Sequence, residues 1–201
     1  MTPAPRDQYA HITPRDRAEW RAWLTANHAE APGVWLVYYK KGSGLVSVSY
    51  DEAVEEALCF GWIDSAMRRL DDARYEQVFT PRKRRSPWSQ SNKERVARLM
   101  AQGLMAPAGL AAVEAARRDG AWAMFDGIEN LETPDDVAAA LAEHPTAAAN
   151  FAAFSNAVRQ QSLWWIADAK RPETRQRRIA RVVEAAAQNH NPRADAPRER
   201  R

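Results

Sequence analysis

At 201 residues and 22.7 kDa the chain is long enough for one substantial core, or for one domain with a small module beside it, and the second is expected. Basic residues number 29 against 26 acidic, a net charge of +3 too mild to imply a nucleic-acid partner on its own, and several of the surplus arginines fall at 193–201. With 45% apolar residues most of the chain should fold, its one cysteine excludes an internal disulfide, and no stretch reaches the roughly 18 apolar residues needed to cross a bilayer.

The first residues lack the apolar core of a signal peptide, so a cytoplasmic protein is expected. Residues 14–27 predict a helix with Thr13 as N-cap and Pro14 at its first position, and Trp20, Trp23 and Leu24 share one face. The apolar and aromatic run 33–39 fits a strand buried on both faces, turned at Lys40-Lys41-Gly42-Ser43-Gly44. Ser49 and Glu52 form a capping box for the next helix, whose buried stripe is Ala53, Val54, Ala57 and Leu58 and whose stop is Gly61. Residues 62–70 and 74–82 then read as an antiparallel hairpin joined at Asp71-Asp72-Ala73. A second capping box, Ser91 with Glu94, opens a helix ending before Gly103, and a further helix spans 107–118.

Past Asn130 the pattern turns purely helical. Thr133-Pro134-Asp135-Asp136 is a start signal, alanine dominates the following twenty residues, and longer helices are expected at about 156–169 and 172–187. The composition therefore divides into an α+β domain at 9–125, a helical module at 131–189 and a disordered tail at 190–201, with no internal repeat.

Chemistry-bearing residues concentrate around the hairpin. With a three-residue turn, strand alternation puts Trp62, Asp64, Arg68, Glu76, Thr80 and Arg82 on one face, with Arg68 opposite Glu76 and Asp64 near Arg82. A two-residue turn would shift the register. Such a face could be a ligand platform, or a solvated surface with cross-strand ion pairs. Arg82, Lys83, Arg84 and Arg85, followed by Ser86 and Trp88 ahead of a helix start, could hold an anion or form a plain basic connection. Lys170, Arg171, Arg175 and Arg178, close after Trp164 and Trp165, could clamp phosphates or be the outer face of a surface helix. Cys59, near the C-terminal end of its helix, is expected to be a buried structural thiol, since the dipole there disfavours a thiolate. The four histidines are scattered with no metal-ligand spacing, and no nucleophile elbow, dinucleotide fingerprint or kinase signature occurs, so neither metal nor cofactor is expected.

The order of Trp20-Arg21-Ala22-Trp23-Leu24, Gly33-Val34-Trp35-Leu36, Ser49-Tyr50-Asp51-Glu52-Ala53, Ala57-Leu58-Cys59-Phe60-Gly61-Trp62-Ile63-Asp64-Ser65, Thr80-Pro81-Arg82-Lys83, Trp88-Ser89 and Ala169-Lys170-Arg171-Pro172-Glu173-Thr174-Arg175 resembles the YdeI/OmpD-associated family of bacterial proteins. The resemblance implies a YjbR/CyaY-like α+β half with a helix-flanked antiparallel sheet, and a C-terminal helical module named for bacteriocin protection. It also implies a part in tolerance of antimicrobial peptides.

Taken together these features predict a cytoplasmic, non-enzymatic protein that binds a small molecule or peptide in an aromatic and basic groove formed by Trp62, Asp64, Arg68, Arg82, Lys83 and Trp88. Two alternatives remain open: an enzyme using Asp64 as base with arginine stabilisers, and a nucleic-acid binder using Lys170, Arg171, Arg175 and Arg178.

Overall fold

The computed structural model describes residues 8–192; positions 193–201 of the expected disordered tail lie outside them. The chain divides into two compact units between Trp122 and Ala123. The fold class is α+β. The first unit holds a four-stranded mixed sheet and helices, and the second is helical, with no strand among its described residues.

In the first unit the elements run β1 (Ala10–Ile12), α1 (Arg17–Asn27), β2 (Val34–Tyr39), α2 (Tyr50–Cys59), β3 (Trp62–Arg69), β4 (Arg74–Pro81), α3 (Gln90–Ala101) and α4 (Pro107–Arg118). The sheet order is β1-β2-β4-β3, antiparallel except for β1, which pairs parallel to β2. That edge strand departs from the fully antiparallel sheet expected. Three residues are too few to show an alternating pattern, and β1 is held instead by its register with Val34–Leu36 and by Tyr9, whose ring lies where a side chain on Gly33 would have to go.

Helix α1 starts at Asp16, not at Thr13. The Asp16 carboxylate accepts from Glu19 N at 2.9 Å, satisfying one of the first turn's free backbone donors two residues after Pro14. Helix α2 begins as its capping box predicts, with Ser49 and Glu52 reciprocally bonded, and Gly61 ends it in the left-handed conformation at φ 73°. For α3 the cap is Ser89, which accepts from Asn92 N; Ser91 lies inside the helix. Trp88, the residue before that cap, is buried in the core.

The core lies between the helices and one face of the sheet, where Val34, Leu36, Tyr38, Trp62 and Phe79 meet Trp20, Leu24, Val54 and Leu58. Trp20 and Trp23 stack at 5.3 Å, and Trp23 meets Trp62 edge-on at 5.8 Å. Such ring pairs add about 0.5–1.5 kcal/mol each beyond their area. Gly109 lets α4 approach α2 closely, since a Cβ there would lie 2.2 Å from the Cys59 carbonyl oxygen. Cys59 itself is fully buried, and burial raises its thiol pKa above the ordinary value.

The second unit comprises α5 (Asp126–Glu129), α6 (Asp135–Ala142), α7 (Pro145–Ala153), α8 (Asn156–Ala167) and α9 (Pro172–Ala187). Prolines open α7 and α9 at their first turn, where the missing N–H leaves no bond unmade. Val137, Phe151, Leu163, Ile166, Val182 and Ala186 form its core.

Candidate binding sites

The hairpin turn is three residues long, and near it the expected register holds, with Arg68 opposite Glu76 and Arg69 opposite Tyr75. Between Asp64 and Met67 one extra residue enters β3, so Asp64 pairs with Phe79 and Trp62 with Pro81. This bulge moves Trp62 and Asp64 to the face opposite Arg68 and Glu76, because side chains alternate with period two. The single face expected to carry Trp62, Asp64, Arg68, Glu76, Thr80 and Arg82 does not exist.

Each hairpin residue is then committed locally. Trp62 is buried in the core, and its indole donates to His28 O at 3.2 Å. Asp64 accepts from Gln77 Nε2 at 2.8 Å and from Tyr50 Oη at 3.3 Å. On the other face, Glu76 is buried and accepts from Arg68 Nε at 2.5 Å while meeting His11 Nδ1 at 2.8 Å; the Arg68 guanidinium lies 4.2 Å from the Trp35 ring centre. Trp88, expected in an open groove, is 1% exposed, with Arg82 stacked on it at 3.6 Å and Trp122 at 5.1 Å. Lys83, Arg84 and Arg85 are exposed.

In the second unit a groove of about 520 Å³ opens between α5, the 131–135 segment and α9. Met124, Ile128 and Ala167 supply apolar lining, and Glu132, Asp135 and Arg175 line it with charge. Arg175 is half-buried, and its Nε and Nη2 grip the two oxygens of Asp136 at 2.6 and 2.8 Å, which holds the Asp136 carboxyl below its ordinary pKa. Arg178 is buried, donating from Nη1 to Trp165 O at 2.5 Å with its guanidinium 5.1 Å from the Trp165 ring centre. Of the four cations expected to form one anion-binding stripe, only Lys170 and Arg171 are exposed, and they sit ahead of α9. Arg178 serves the interior of the unit, and Arg175 lines the edge of the groove.

Residues 12–112, half of the chain, match the family described as Domain of unknown function (DUF8412), and residues 130–189 match Bacteriocin-protection, YdeI or OmpD-Associated. The chain belongs to the DUF8412 family through the first match, and its C-terminal region is a YdeI/OmpD-associated module through the second. No curated protein and no solved structure matches it. The YdeI/OmpD-associated match lies within the helical unit and takes in Glu132, Asp135 and Arg175 of the groove. No described helix is long and apolar enough to cross a membrane, and the described residues hold no group of His, Cys, Asp and Glu arranged for a metal ion.

Two features were not anticipated. Glu56 sits in the buried stripe of α2 and accepts from Arg17 Nε at 2.5 Å and Arg21 Nη1 at 2.7 Å, a network that ties α1 to α2. Its signal is readable: two arginines four apart on one helix and a carboxylate at an apolar position of the next. The groove carried no such signal, because its lining comes from four separate segments.

Proposed function

We propose that this YdeI/OmpD-associated protein is a cytosolic, non-enzymatic binding protein that acts in tolerance of antimicrobial peptides by holding a short cationic amphipathic segment in the groove of its helical unit. The groove carries this reading. Its volume lies in the range of ligand sites, its apolar lining suits aliphatic side chains, and its charge is acidic on balance. Arg175 adds little positive potential there, because its charge is matched by Asp136. The location of the groove in the part of the chain that carries the bacteriocin-protection description supports the peptide as ligand.

Titrating the full chain with a fluorescent Lys- and Leu-rich peptide tests this. Glu132→Gln combined with Asp135→Asn should weaken binding roughly tenfold, the loss of two charge contacts, and added salt should weaken it further. Unchanged affinity in the double variant, or equal binding of an acidic peptide of the same length, would remove the groove from consideration.

A further inference from the structure

We propose a second, separate site: the cavity at the end of β4 in the first unit binds a small oxyanion of the phosphate class through the side-on edge of Arg82. The backbone of Arg82 is pinned, its N–H donating to Gly61 O at 2.9 Å. Its guanidinium lies flat against Trp88, and Nη1 donates to Pro87 O at 3.2 Å. The remaining two nitrogens, Nε and Nη2, are buried and meet no acceptor among the described residues. They are the same two nitrogens that Arg175 uses to hold both oxygens of Asp136. Arg82 borders a cavity of about 80 Å³, with Trp88, Ala112 and Ala116 among its walls.

A guanidinium does not escape burial by losing its proton at neutral pH. Burial lowers the Arg82 pKa to about 10, against the opposing pull of Asp64, and the side chain remains charged. A cation with two buried, idle donors is costly until an anion pairs with it. The protein's own carboxylates near it are otherwise engaged. Asp64 is bonded to Gln77 and Tyr50, while Asp119, which lines the cavity, accepts from Arg85 N and from Ala121 N, both at 3.1 Å. Lys83, Arg84 and Arg85 also line it, so four cations face one carboxylate, which favours a dianion over a monoanion. The small cavity suits an ion or a terminal phosphoryl group more than a larger ligand.

Calorimetry of the full chain with inorganic phosphate, at constant ionic strength and with acetate as the comparison, tests the site. Phosphate should bind, and Arg82→Met should weaken it by about tenfold or more, the loss of two charge-assisted hydrogen bonds. Arg82→Lys, which keeps the charge but not the fork, should also bind more weakly than the parent. Thermal unfolding in phosphate-free buffer establishes that both variants are folded, and phosphate should raise the midpoint of the parent more than that of either. Equal phosphate affinity in parent and Arg82→Met would overturn the site. Acetate binding as tightly as phosphate would overturn the phosphate class, and an Arg82→Lys affinity equal to the parent's would overturn the fork.

Discussion

Arg82 and Arg175 are the same side chain in opposite circumstances. In the helical unit Arg175 is satisfied by Asp136, a partner 39 residues earlier, at the half-exposed edge of a groove. In the α+β unit Arg82 is satisfied by aromatic stacking and one carbonyl, with its side-on edge buried and unmatched among the described residues. Arginine in a basic run says nothing by itself about binding. What matters is whether the fold supplies a carboxylate to the fork, and only long-range geometry decides that.

The sharpest way to break this contrast is to remove what supports each arginine. Trp88→Ala deletes a buried indole between Arg82 and the core, and should destabilise the protein by about 3–5 kcal/mol in chemical denaturation, the usual range for a buried Trp. A loss below about 1 kcal/mol would mean that Trp88 is not the packed floor under Arg82. The same result would restore the open groove that the sequence suggests.

The corresponding cut in the helical unit should cost far less. Asp136→Asn leaves the shape and removes the charge from a half-exposed pair, so about 0.5 kcal/mol is expected. The sign with pH follows from the direction of the shift. The folded-state pKa of Asp136 is depressed, chiefly by the hydrogen bond from Arg175, so the pair's contribution is present above the unfolded value of about 3.9 and is lost as pH falls through the lower folded value. Parent and Asp136→Asn should therefore differ in denaturation midpoint at neutral pH and converge in acid. A difference that grows in acid would contradict the pairing.

Much of this architecture was legible beforehand. The capping box at Ser49 and Glu52, the doubly buried β2, the hairpin joined at Asp71-Asp72-Ala73 and the proline-opened α9 all rest on local rules that tertiary packing did not override. The misses share a cause. Asp16 and Ser89 displace Thr13 and Ser91 as caps, each accepting from the backbone N–H three residues on, because several adjacent residues of capping type compete and local spacing does not rank them. The bulge at Ser65 and Ala66 leaves no composition signal, yet it reverses the face of Asp64 and Trp62 and so dissolves the ligand platform. Residue types placed Arg82, Lys83 and Trp88 near one another correctly, but could not tell a buried ring from an exposed one.

The smallest expected effect is the most discriminating. Arg82→Met, in buffer without phosphate or other multivalent anions, should change stability by less than about 1 kcal/mol, because replacing a buried and unpaired charge by an apolar chain of similar length is often neutral or favourable. The lost hydrogen bond to Pro87 O and the lost stacking on Trp88 oppose the relief of a desolvated cation. These terms are of similar size, so a near-zero balance is itself the signature of an arginine kept for something other than stability. A loss of about 3 kcal/mol or more, measured by denaturant titration, would show that Arg82 has a protein partner after all. The two arginines would then differ in burial alone.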